Sequence, residues 1–163
     1  MRQIIRRREI AADELRYAGE PVSEGSIRVL TAAEWIAAST AGAAPAPGAL
    51  LLSATDEVEA LAPHLAGLRH IVIEFAKIGE GRGFSQAQML RQRYRYGGEL
   101  RARGALKRDQ MFFLARSGFD AFDLDPTEDL TAAIAALGTF SVAYQDGNDT
   151  LVNVRRRLSG AAG

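Results

Sequence analysis

Cysteine is absent from this chain. Its absence excludes disulfides, thiol nucleophiles, thiolate-bound metals and protein-ligated iron–sulfur clusters. Lysine is nearly absent too: of 20 basic side chains only Lys77 and Lys107 are lysine, and the rest are arginine. Arginine presents a planar, bidentate fork suited to carboxylates and oxyanions. Net charge is zero, so the molecule as a whole exerts no long-range pull on nucleic acid or on an anionic membrane. No apolar run approaches spanning length, and the opening MRQIIRRREIAADELR lacks the apolar core of a secretory signal. These absences predict a cytoplasmic protein with no nucleic-acid partner and no membrane segment. Of the two histidines, His64 beside Pro63 reads as a helix-end residue, and His70 has no metal-ligand spacing around it. No metal and no cofactor are expected.

The chain has 163 residues, 47% hydrophobic and 25% charged, which suits one globular domain with a sizeable core. Residues 1–25 are polar and mixed, with Arg6, Arg7 and Arg8 in a row, and read as a solvated N-terminal arm. Residues 26–145 read as a single α/β domain and 146–163 as a C-terminal tail.

Within the domain, short β-type runs alternate with helix-type runs. Ile27 to Leu30 is a short strand, and Thr31 with Glu34 fits a capping box for a helix carrying Trp35 and Ile36 inward. Ala41 to Gly48 is a breaker-rich surface loop. Ala49 to Ser53 is a continuous apolar run, as in a parallel strand covered on both faces. The next helix should break near Ala62, because Pro63 falls inside its pattern. Ile71 to Phe75 is the most strand-like segment. A helix follows from about Phe84 to Tyr94, with Ala87, Leu90 and Tyr94 inward and Arg91, Arg93 and Arg95 outward. Glu99 to Arg103 is a strand, and the helix from about Leu106 to Arg116 has Leu106, Phe113 and Leu114 as its core face. Phe119 to Leu124 is the next strand. Asp125-Pro126-Thr127 starts a helix with Leu130, Ile134 and Leu137 inward, and Phe140 to Gln145 is a last strand or a packed segment.

This order predicts an α/β fold of repeated βα units with a mainly parallel sheet of four to five strands. The sheet is either open or half-barrel-like. In the strand ELRAR the charged Glu99, Arg101 and Arg103 share one face. A barrel-like interior, a partner surface or a cleft accommodates that face better than a doubly covered open sheet. A half-barrel that dimerises is one form such a chain could take.

Chemistry is expected beyond the carboxyl ends of the strands. After IVIEF the loop holds Lys77, Glu80, Gly81, Arg82 and Gly83 and runs into a helix N-terminus, where Ser85 could act as a cap. Glycines and a helix N-terminus could cradle an oxyanion, and Arg82 could add a bidentate donor. Glu99 and Arg101 from the next strand, and Asp109 and Gln110 from the next helix start, could join the same rim. The bland alternative is an ion-pair network that fixes strand register and takes no ligand. GEGRG is not the dinucleotide fingerprint, since it fails at the third glycine, and it lacks the Lys-Ser/Thr of a phosphate loop.

The runs GRGFSQAQMLR, YGGELRARG and DQMFFLARSGFDAF resemble the DUF934 proteins over roughly Gly25 to Gln145. The resemblance implies a role in sulfite reduction, since genes of that family lie beside those of sulfate assimilation. Three residues depart from the family's usual pattern: Glu80 stands for Asp, Ala105 for Asp, and Ser117 for Cys. If that cysteine were a redox centre, this chain would lack it. The expected function is therefore an accessory, non-catalytic interaction subunit of assimilatory sulfate and sulfite reduction, with sulfite reductase or another enzyme of that process as partner. The alternative is a small-anion-binding enzyme of oxidoreductase type, with an Arg/carboxylate pocket at the strands' carboxyl ends.

Overall fold

A computed structural model describes residues 1–77 and 81–140. Eight strands form one sheet: β1 (Gln3–Arg6), β2 (Glu9–Ala12), β3 (Leu15–Arg16), β4 (Ile27–Thr31), β5 (Gly48–Leu52), β6 (Leu68–Phe75), β7 (Glu99–Gly104) and β8 (Ala121–Asp123). Five α-helices are α1 (Ala32–Thr40), α2 (Val58–Leu61), α3 (Arg82–Gln88), α4 (Met111–Ser117) and α5 (Leu130–Phe140). The strand order is β2-β1-β8-β7-β6-β5-β4-β3. From β3 to β8 every neighbour is the next strand in sequence and every pair is parallel. β1 joins β8 antiparallel, and β2 folds back on β1.

The sheet must curl. Its edge strands β2 and β3 stand at opposite ends of the order, yet only Asp13 and Glu14 separate them in sequence. Laid flat, eight strands would put those edges about 34 Å apart at a spacing of roughly 4.8 Å. The link between Ala12 and Leu15 reaches about 11 Å at most, at ~3.8 Å per Cα step. The sheet is thus an open half-barrel, mostly parallel, with more strands than the four to five expected. The extra ones come from residues 3–16. The reading of residues 1–25 as a solvated arm is corrected here: Ile4, Ile5 and Leu15 are fully buried, because they complete the sheet and its two edges.

Consecutive right-handed crossovers place the helices on the convex side. The larger core lies there. Leu50, Leu52, Ile71, Ile73, Leu100, Ala102 and Phe122 project from the strands to meet Trp35, Leu61, Leu90, Met111 and Leu114. A smaller apolar cluster, Leu15, Tyr17, Val29, Ala49 and Val72, lies apart from it on the concave side.

Local sequence accounts for most element boundaries. Thr31 Oγ1 accepts from the Glu34 N–H at 3.2 Å while the Glu34 carboxylate accepts from the Thr31 N–H at 2.7 Å, the expected capping box. Helix α2 ends at Leu61, and a short 3-10 turn carries Pro63, where the break was expected. His64 lies at the end of that turn, and its carbonyl accepts the Trp35 indole N–H at 2.7 Å. Gly118 closes α4 at φ 112, a conformation that favours glycine.

Several expectations fail for identifiable reasons. After α3 the chain makes a π turn from Met89 to Arg93, which carries Arg91 inward; it is 5% exposed. Phe113 is 60% exposed, and Met111 takes its place in the core. A 3-10 turn at Arg108–Gln110 precedes α4 and shifts its buried face. Helix α5 begins at Leu130: the Asp125 carboxylate caps a turn at Thr127 instead, and Asp129 accepts from the N–H groups of Thr131 and Ala132. Phe140 ends α5, and the rest of the expected last strand, 141–145, lies outside the described residues, as does the tail.

Candidate functional site

The concave face gathers most of the buried charge among the described residues. Strand alternation and register build it in rows: His70 beside Glu99, Val72 beside Arg101, and Glu74 beside Arg103 with Asp123 next to it. The segment Asp13–Tyr17 passes between the sheet edges, and Asp13, Leu15 and Tyr17 turn inward onto those rows. Arg101, fully buried, donates from Nη1 to Asp13 Oδ1 at 2.7 Å and from Nη2 to Glu99 Oε1 at 2.9 Å. Asp13 also accepts from Arg2 and from the Leu15 N–H. Arg6 Nε lies 2.6 Å from Glu99 Oε2, and Arg6 also pairs with Glu14. This is a continuous network joining β1, the crossing segment, β6 and β7.

The electrostatics follow from burial against pairing. Burial alone would push the Asp13 carboxyl up, but Arg101, the Leu15 N–H and Arg2 together hold it below its ordinary value. Burial likewise opposes ionisation of Glu99, yet His70, Arg101 and Arg6 hold it down at about 2. Burial would lower Arg101, and Glu99 and Asp13 raise it instead. Asp123 goes the other way. Burial pushes it up, because its contacts to Arg2 and Arg103 are long, 3.8 and 3.4 Å. Burial also raises the Tyr17 phenol to about 12. Arg103 stacks over the Tyr17 ring at 3.7 Å and Arg2 lies 5.1 Å from its centroid.

Three groups in the network are incompletely served, one being Arg6 Nε, which lies close to Glu99 Oε2 without hydrogen-bond geometry. The buried Tyr17 hydroxyl has no hydrogen-bond partner among the described residues. The His70 ring lies between two carboxylates, Nδ1 3.3 Å from Glu99 and Nε2 3.5 Å from Glu14, without a well-formed hydrogen bond to either. Only a doubly protonated ring could donate to both.

The residues expected to converge on one rim do not do so. Glu99 and Arg101 meet on the concave face, toward the amino ends of the strands. Glu80 lies outside the described residues. Arg82 is exposed and pairs with Glu57 at 2.9 Å. Gly83 is buried against the convex core: an added Cβ would come within 2.6 Å of Phe75 Cζ, so packing explains this glycine. Gly81 is in open space, and its carbonyl accepts a long 3.5 Å bond from the Ser85 hydroxyl. Helix α3 has only seven residues, a weak dipole for an anion site. Asp109 borders a hollow of about 250 Å³ with Arg108, Phe112, Ala132 and Ala136, among the helices. Gln110 accepts from the Lys107 N–H at 2.9 Å and fixes a turn. Of the described candidates, Glu99 and Arg101 alone belong to the concave network.

Residue-by-residue reading missed Asp13, Tyr17 and His70. One signal was present: Asp13, Leu15 and Tyr17 alternate with Glu14 and Arg16 at the period of a strand. Arg91 was missed as well. Its guanidinium donates to the carbonyls of Gly118, Tyr96 and Gly98 at 2.8–2.9 Å and approaches Asp120, whose carboxyl burial pushes up. It lies four residues after Ala87, on the same stripe, and only its charge argued for an outward position.

Curled sheet, convex helices and an ion-paired concave face define a singly wound α/β half-barrel protein. The chain belongs to the DUF934 family, described as bacterial proteins of unknown function, whose pattern matches residues 49–153. That match begins at β5, so Arg2, Arg6, Asp13, Glu14 and Tyr17 all precede it. No curated protein matches the chain. Among the described residues no helix is long and apolar enough to cross a membrane, and no cluster of His, Asp and Glu is arranged to hold a metal ion.

Proposed function

We propose that this protein is a non-catalytic accessory subunit of assimilatory sulfate and sulfite reduction that docks on another protein of that process. The process is carried by the family likeness of its central runs. One observation supports the accessory role. The concave face is filled by the protein's own side chains, and Arg101 at its centre is fully buried and spent on Asp13 and Glu99. Such a network sets strand register and closure rather than presenting a free reactive group.

The alternative, an anion-binding enzyme at the carboxyl ends of the strands, has less support. The row there is Glu74, Arg103 and Asp123, two carboxylates against one guanidinium that already pairs with both. Affinity purification of the tagged full chain from cells grown on sulfate should recover a component of the reductase. Consistent failure under gentle conditions overturns the accessory reading. Stabilisation by sulfite or sulfate in a thermal-shift screen, abolished by Arg103→Ala, would favour the enzyme instead.

A further inference from the structure

The amino ends of β6 and β7 carry an open groove of about 580 Å³ outside the concave network, lined in part by Leu68 and Tyr96 of the convex core. Two loops line it, Leu65–Arg69 before β6 and Tyr94–Gly98 before β7. Its lining contains two guanidiniums, Arg69 and Arg95, and no carboxylate. Both arginines are exposed, and neither forms an ion pair or hydrogen bond among the described residues. With no carboxylate in the lining, this is a local excess of positive charge. Arg93, close by in sequence, meets a carboxylate only at 4.0 Å, that of Glu59, and stacks on Tyr94.

The Tyr94–Gly98 loop is also tied to the protein beneath it. Arg91 ties the carbonyls of Tyr96 and Gly98 to that of Gly118 from inside the protein. The Tyr96 N–H donates back to Leu90 at 2.8 Å, and Gly98 sits so close to the Arg69 carbonyl that an added Cβ would come within 2.7 Å of it. Arg95 is held at φ 54, a left-handed conformation that a non-glycine residue adopts only when its surroundings impose it. A buried arginine thus fixes a loop that presents an exposed one. Preorganisation of this kind favours binding, since little ordering remains to be done on contact.

We infer that this groove docks an extended acidic segment of a partner protein, with Arg69 and Arg95 taking its carboxylates and Tyr94 packing against its side chains. The inference rests on the accessory reading and locates the contact. The groove's shape is open rather than enclosed, and it lies at the end of the sheet away from the usual ligand end of parallel α/β folds. Both features suit a protein segment better than a small substrate.

The test uses the full chain and a fluorescein-labelled decapeptide of alternating Glu and Leu, read by anisotropy at two salt concentrations. Salt-sensitive binding is expected. The double reversal Arg69→Glu/Arg95→Glu should weaken it at least tenfold, while Arg7→Glu/Arg8→Glu, at the exposed β1–β2 turn, should leave it within about twofold. Equal loss in both variants means unspecific charge attraction and overturns the inference. So does the absence of binding, full displacement by millimolar inorganic sulfate, which marks a small-anion site, or self-association through the groove in sedimentation. The two proposals fail separately. Recovery of a reductase component with equal yield from wild type and the Arg69/Arg95 variant sinks the groove alone, and no recovery from wild type sinks the accessory reading.

Discussion

On β7, Leu100 and Ala102 turn toward the helices, while Arg101 and Arg103 turn toward the concave side. The two sides of this one strand are held by different physics. On the convex side, apolar area removed from water stabilises without regard to direction, and neighbours can adjust to small changes. On the concave side, each guanidinium needs its carboxylates at particular distances, and an incomplete set is costly. The convex side gives the protein most of its core. The concave side ties the crossing segment Asp13–Tyr17 to β6 and β7, so it selects one curvature of the sheet.

That contrast can be broken most severely at its centre. Arg101→Met should destabilise the fold by about 3–5 kcal/mol in urea unfolding, because Asp13 and Glu99 would stay buried without their cation. Adding Asp13→Leu and Glu99→Gln should recover much of the loss. A triple variant as unstable as the single one would show that the network is more than a set of mutually compensating charges. Acid should act on the same face. Glu99 titrates at about 2 in the folded protein, below an unfolded value of about 4.3. Its contribution is therefore complete above about pH 4.3 and disappears as pH falls toward 2, amounting to about 3 kcal/mol. Urea midpoints measured between pH 5 and pH 2 should fall steeply for wild type and less steeply for Glu99→Gln. Asp123, raised by burial, works in the opposite sense and should soften that fall.

Smaller effects sharpen the comparison. Tyr17→Phe removes a buried hydroxyl with no partner among the described residues. Stability should stay the same or rise by up to about 1 kcal/mol. A clear loss would mean that the hydroxyl is bonded in solution. Phe113→Ser, on the convex side but 60% exposed, should change stability by less than about 0.5 kcal/mol, whereas Met111→Ala beside it should cost about 2 kcal/mol or more.

Elements with local causes were legible. The Thr31 capping box, the break at Pro63, the Gly118 stop and the two-faced pattern of ELRAR all depend on residues within a turn or two of each other. The half-barrel alternative came from that last pattern. The proposed rim was not legible. It assumed that residues near the ends of successive strands and helices share one space, and α3 and the 3-10 turn before α4 instead direct Arg82 and Asp109 to the helical side. The role of the N-terminus was hidden by its polarity. Three successive arginines, Arg6 to Arg8, suggested solvent, whereas Ile4 and Ile5 pair into the sheet and Arg6 folds onto Glu99.

Sequence alone decided the elements whose boundaries carry local signals, such as the Thr31 cap, the Pro63 break and the Gly118 stop, and that one side of β7 would be charged. Tertiary structure alone decided what that charge meets. Arg101 and Asp13 stand 88 residues apart, and no local periodicity encodes their contact. It exists because the sheet curls far enough for a two-residue link to join its edges, and because a buried guanidinium is tolerated only where carboxylates arrive to complete it.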